Sequence, residues 1–207
     1  MDEERLVVIG ASAGIVGVLS FQVLFSISLL VHPDWRFGLD LMSELGTTAP
    51  HTWLFNLSVI VMGTMGVAFS LSLLRFLYWS FFGKLSVAIL VAGCTCLFLL
   101  GVFTMEQRAL HDALAWAFFV LTVIGLMAMS IPMYVHWNRA RLAFAATLAT
   151  VALSVSSLFM IGLGLAKHHL VEVVVVYALG AWIIAMSISM VQRSRRNDLP
   201  LTPDNGS

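Results

Sequence analysis

The stretch LSVAILVAGCTCLFLLGVFT, from Leu85 to Thr104, runs for twenty residues without an acid, a base or a histidine. A helix that crosses the hydrocarbon of a bilayer needs about 20 mostly apolar residues. A strand of a membrane barrel would alternate apolar and polar side chains, and this stretch does not. It therefore reads as a membrane-spanning helix. Cys94 and Cys96 inside it point about 200° apart on a helix. That rules against a disulfide between them and against a paired metal site, so both read as small apolar packing residues.

Five further segments have the same character: Leu6–Val31, Thr52–Leu74, Leu110–Val135, Leu142–Ala166 and Leu170–Val191. The expected fold class is all-α, a polytopic bundle of six transmembrane helices formed by residues 1–191. Residues 192–207, basic and then polar with Pro200 and Pro203, read as a disordered tail. Composition agrees with a bilayer as solvent. The 207 residues are 60% apolar and 11% charged, with mean hydropathy +0.96, whereas soluble chains carry about 25% charged residues. Zero net charge gives no bulk attraction to nucleic acid. The start, Met1-Asp-Glu-Glu-Arg5, is acidic, and the apolar run after it exceeds the roughly 7–15 residues of a signal peptide core. The first span is thus expected to be a permanent anchor.

An even number of spans places both termini on one side. Eight of the eleven basic residues lie at the termini and in the second and fourth connections: Arg5, Arg75, Lys84, Arg139, Arg141, Arg193, Arg195 and Arg196. Arg36, Arg108 and Lys167 occupy the other three connections. The positive-inside rule then puts both termini in the cytoplasm of a cell-membrane protein. Trp35, Trp53, Tyr78, Trp79, Tyr134 and Trp137 flank the spans as interface anchors. Gly10 with Gly14, Gly63 with Gly66, and Gly162 with Gly164 permit close helix approach, within one bundle or in a homo-oligomer.

The first, third and fifth connections carry the chemistry. Five of six histidines and six of eleven acids fall in His32–His51, Glu106–Asp112 and Lys167–Glu172. In the first, Asp40, Ser43 and Glu44 have the spacing of one helix face, with Leu41, Met42 and Leu45 opposite and Gly46 as a stop. A short amphipathic interfacial helix is expected there. Asn56, one turn inside the second span, must find a partner in the membrane. The loop carrying Ser43 is one candidate and another helix is the other. His111 and Asp112 open the fourth span, facing about 100° apart, so that one could meet Glu44 and the other His168. Glu172 lies i+4 from His168 and i+3 from His169, and an intramembrane carboxylate is a functional-site hypothesis by default. Its structural alternative is an ion pair with Arg36 or Arg108.

The elements Leu41-Met-Ser-Glu-Leu-Gly46, Thr52-Trp-Leu-Phe-Asn56, Gly101-Val-Phe-Thr104 with His111, and a glutamate opening the last span resemble the DUF998 family of small integral membrane proteins. The resemblance runs from the first span to about Val191. In relatives the glutamate is usually followed by arginine, and here Val173 follows Glu172. A looser resemblance, to ceramidase-like and adiponectin-receptor-like membrane hydrolases, comes from Ser43, Asp112, His111, His168 and His169 on one side. The span count and the adjacency of His168 and His169 depart from that pattern.

Two functions follow as expectations. One is a lipid-directed enzyme of hydrolase type at the outer leaflet. Ser43, Glu44, His111, Asp112 and Glu172 would be its catalytic groups, and Asp40, Trp53, Asn56 and Arg108 would support the substrate. A divalent metal such as zinc would sit on His111, His168 and Glu172. The other is a module that binds or transports a membrane lipid or small amphiphile without catalysis. An assembly partner of another membrane protein is a further alternative. Few polar residues lie in the deeper two thirds of the spans, which argues against an ion conduit.

Overall fold

The computed structural model describes residues 3–47, 51–135, 137–164 and 168–195. Six helices follow one another: α1 (Glu3–Val31), α2 (Thr52–Leu77), α3 (Phe81–Val102), α4 (Arg108–Val135), α5 (Trp137–Gly162) and α6 (His168–Arg195). Each contains a window long and apolar enough to cross a membrane. Single-turn 3-10 helices at Met42–Gly46 and Met105–Gln107 sit in the first and third connections. Every helix packs against its sequence neighbours, and α6 returns to α1, so the six close into a ring.

The ends of the helices differ slightly from the hydropathy reading, for local reasons. α3 starts at Phe81 rather than Leu85 because the Ser80 hydroxyl caps it, accepting from the Gly83 amide at 3.3 Å. α6 continues past Gln192 to Arg195, where the buried Arg193 guanidinium lies 5.2 Å from the Phe76 ring centroid. Residues 196–207, the rest of the expected tail, lie outside the described residues.

The packing is uneven along the bundle axis. Most of the main core lies toward the end that carries the chain's beginning: Phe69, Leu73, Phe76 and Leu77 on α2, Met129 and Met133 on α4, Met186 and Met190 on α6. Trp182 locks three helices there. Its indole N–H donates to Thr147 Oγ1 at 2.9 Å, and its ring meets Phe69 edge-on at 5.7 Å. Between apolar helices in lipid, association depends on such close packing and on interhelical hydrogen bonds. The glycines serve it. Gly10 and Gly14 face Ser72, Phe69 and Ile183, and Gly63 and Gly66 face Phe98 and Cys94, all within this chain. Both cysteines are free thiols.

At the opposite end, a smaller cluster of Phe25, Met42, Leu45, Phe55, Val59 and Val173 seals the bundle. The first, third and fifth connections lie at this end, called the site end below. Between the two clusters the bundle is hollow.

Candidate functional site

The first connection is a folded cap over the site end. His32 is buried, and its Nδ1–H donates to the Ser28 carbonyl at 2.9 Å. The Trp35 indole N–H donates to the Leu41 carbonyl at 2.9 Å. The 3-10 turn Met42–Gly46 then plunges Met42 and Leu45 into the core, both at most 1% exposed. Two side chains from neighbouring helices hold it. The Asn56 amide donates to the Gly46 carbonyl at 3.1 Å, and Glu172 Oε2 accepts from the Met42 amide at 2.9 Å. Asn56 thus bonds the Ser43 loop, as one of the two sequence readings had it. Gly46 is required by this contact, since a Cβ there would overlap Asn56 Oδ1. Asn56→Ala leaves the Gly46 carbonyl without its partner and should destabilise the protein by about 1–3 kcal/mol. Thermal unfolding in mild detergent measures this.

The short helix of the first connection is a five-residue 3-10 turn that begins at Met42, so Asp40 precedes it and does not share a face with Ser43 and Glu44. Asp40 folds back instead, accepting from the Arg36 amide at 2.7 Å and lying 3.5 Å from its guanidinium. The Arg36 amide, helped by its guanidinium, holds the Asp40 carboxyl below the usual carboxylate range, and outweighs the opposing effect of desolvation. A depressed pKa contributes stability above the unfolded value, about 3.9, that is lost as pH falls through the lower folded one. The Arg36–Asp40 turn should therefore persist to pH 4 and open below it. A carboxyl-carbon NMR titration of Asp40 follows this directly.

The other expected pairings also resolve differently. Asp112 lies 3.6 Å from Arg108, one turn back on the same helix, rather than against Glu44; the expected contact with His168 falls on a side chain outside the described residues. Glu172 pairs with the Met42 backbone rather than with Arg36 or Arg108, since each arginine is engaged by an aspartate on its own helix or turn. Glu44 is near enough to Glu172 for their carboxyl groups to interact.

Two cavities of about 370 and 380 Å³ occupy the hollow part of the bundle. The first lies between α4, α5 and α6, and the second in the middle of the ring, reaching between α1 and α6. Ser43, His111 and Glu172 line both, with Ala115 and Phe119 as the shared wall below them. Arg108, Asp112 and His169 add to the mouth of the first cavity. Of the remaining expected site residues, Asp40, Glu44, Trp53 and Asn56 line neither cavity. Trp53 is 58% exposed, as an interface anchor would be.

His111 is the most constrained member. Its Nδ1 lies 2.8 Å from the Phe103 carbonyl. A carbonyl only accepts, so Nδ1 carries the proton, and the tautomer this selects has Nε2 as its acceptor. The Ser43 hydroxyl donates to Met105 Sδ at 3.1 Å rather than to a histidine. His169 Nδ1 and Ser154 Oγ, both at the first cavity, are buried polar atoms without a hydrogen-bond partner. Among the described residues no three His, Cys, Asp or Glu side chains are grouped to hold a metal ion. The expected metal set includes His168, whose side chain lies outside the described residues.

Sequence reasoning did not identify Ala115, Phe119, Met105 or Ser154. Ala115 and Phe119 follow His111 at i+4 and i+8, the repeat of one helix face, which is the signal that reaches them. Met105 and Ser154 have no such signal, because their role arises only when separate helices meet.

No curated protein and no solved structure matches this chain. Residues 15–189 match the family model described as "Protein of unknown function (DUF998)". That stretch takes in Ser43, Asn56, His111 and Glu172, and with it most of all six helices; the chain belongs to the DUF998 family of membrane proteins.

Proposed function

We propose that this protein binds an amphiphilic membrane lipid at the site end. The polar part rests on Ser43, His111 and Glu172, and the apolar part lies in the cavities below. The observation that carries the reading is the polarity gradient. Both cavities are walled mostly by hydrocarbon, and their shared polar groups are gathered at one end. Their volumes fall within the range of about 300–1,000 Å³ typical of ligand sites. With both termini in the cytoplasm of a cell membrane, as the distribution of basic residues supports, the ligand comes from the outer leaflet.

The tautomer of His111 supports a second, catalytic reading on the same site. An imidazole fixed by Nδ1–H leaves Nε2 as a candidate general base, and Glu172 lines the same two cavities, a pair of groups that acid–base chemistry on a lipid headgroup linkage can use. Proton transfer of this kind contributes about 10²–10⁴-fold in rate.

Native mass spectrometry of protein purified in mild detergent tests the binding reading. A bound amphiphile in the wild type, diminished in His111→Phe, is the expected result. Lipid-free, folded wild-type protein that takes up no added phospholipid would overturn it. Conversion of the bound lipid by wild type and not by His111→Gln would establish the catalytic reading.

A further inference from the structure

The form of the hollow says more about the ligand than that it is apolar. The two cavities are nearly equal in volume, at about 370 and 380 Å³. They are also nearly equal in depth. The first follows α4 from His111 to Val123, and the second follows α6 from Glu172 to Ile184. At 1.5 Å per helical residue each descent is about 18 Å. The hydrocarbon of one leaflet is about half of 30 Å. Each cavity therefore has the reach of one acyl chain within one leaflet, and neither crosses the membrane.

The two descents diverge from a single polar junction. Below it the cavities part on either side of the wall made by Phe119 with the adjoining face of α6. Val175 faces the first cavity, and Val176 and Leu179 face the second. Each cavity has its own bilayer-facing margin. Trp116, 51% exposed, borders the first, and Leu19, 55% exposed, borders the second. Lipid tails can then enter from the membrane through two different seams, α4–α5 and α1–α6. A single-chain amphiphile would use one cavity and leave the other without a partner.

We infer that the ligand is a two-chain lipid that straddles this wall, one acyl chain in each cavity, with the linkage joining the chains at Ser43, His111 and Glu172. This rests on the lipid-binding reading above and narrows it to a class. The junction offers groups suited to an ester-linked backbone. The Ser43 hydroxyl and the imidazole are hydrogen-bonding groups of moderate polarity, and Arg108 at the rim of the first cavity can reach an anionic headgroup.

The test compares two probes with one headgroup, dioleoyl phosphatidylglycerol and its one-chain lyso form, binding to delipidated full-length protein by native mass spectrometry. Leu158→Trp narrows the first cavity alone. Gly180→Leu narrows the second alone, at a site where a Cβ would lie 3.5 Å from Val18, an ordinary contact. Val123→Phe and Ala181→Phe repeat the two blocks at other positions, should either first variant fail to fold. Each single block should weaken the two-chain probe by about tenfold and leave the lyso probe within about threefold, because one chain retains an open cavity. Blocking both cavities should remove both probes. If the lyso probe binds wild type as tightly as the two-chain probe, and only one cavity's block affects either, the two-chain inference fails while lipid binding stands. If neither probe, nor any co-purified lipid, binds the folded wild type, the lipid reading fails with it.

Discussion

Gly63→Val should open the α2–α3 seam and cost the protein its folded bundle at ordinary temperature. A Cβ at position 63 would meet the backbone nitrogen of Phe98 and lie 2.7 Å from its Cα. Real Cβ atoms do not approach backbone so closely, and backbone has no rotamer with which to give way. The two helices must separate, along a seam that also brings Gly66 against Cys94 and Gly101 against Ile60. Overpacking a close interface costs about 1–3 kcal/mol and sometimes more. Valine adds two methyl groups to a contact that has no space for one carbon, so the upper end or beyond is expected. Marginal stability of about 5–15 kcal/mol makes that a large fraction. The chain carries its own reporter. Cys94 lies against Gly66 across the same seam, with its Sγ 3.8 Å from Ser70 Oγ. With Cys96 replaced by alanine in both proteins, opening the seam should make Cys94 react faster with a maleimide dye than it does with the seam closed. Gly93→Ala provides the contrast. Its Cβ would lie 3.2 Å from Thr122 Oγ1, a side-chain atom that can rotate, and its melting and labelling should stay close to wild type. Equal labelling of wild type and Gly63→Val would refute the close-contact argument.

The same contrast between local and tertiary information explains what the sequence discloses. Spans are legible because a bilayer imposes length and composition on every one of them, so six apolar runs become six helices with shifts of a few residues. Asn56 is legible for a related reason. An amide one turn inside the membrane must bond something, and the Ser43 loop, whose Gly46 carbonyl it takes, was one of two candidates. Asp40 and Asp112 were harder. Helical spacing says which residues share a face, not whether a nearer partner captures them. Arg36 and Arg108, four residues before each, capture both. The cavities were not legible at all. They exist because the large buried side chains concentrate at the far end of the bundle, Phe69 to Leu77 on α2 and Met129 and Met133 on α4. Ala115 and Gly180 stand where larger residues would have filled the space. A hollow is the sum of many such placements across six helices, and no window of sequence contains it.

Glu172→Ala should have the largest effect on ligand binding of any single change at the site, and Glu172→Gln shows why. The carboxyl does two things at once. It borders both cavities, and it accepts the Met42 amide at 2.9 Å, tying α6 to the cap that carries Ser43. Alanine removes the acceptor and leaves a buried amide unsatisfied, a loss of about 1–3 kcal/mol. It also frees the turn between Leu41 and Gly46, so Ser43 no longer has a fixed place over the cavities. Position and polarity are lost together, and lipid retention should fall by more than about tenfold. Glutamine has nearly the same shape and keeps an oxygen that can accept the Met42 amide, so it preserves the tie and removes only the capacity to carry a charge or a proton. If Glu172 acts by positioning the cap, Gln should restore thermal stability and lipid retention to near wild type. If it acts on the ligand as an acid or base, Gln should restore stability and leave any conversion of the lipid abolished, with His111→Gln giving the same result. Full retention of lipid and unchanged melting in Glu172→Ala would overturn both roles, because nothing else described at the site end joins the cap to α6 through the Met42 amide.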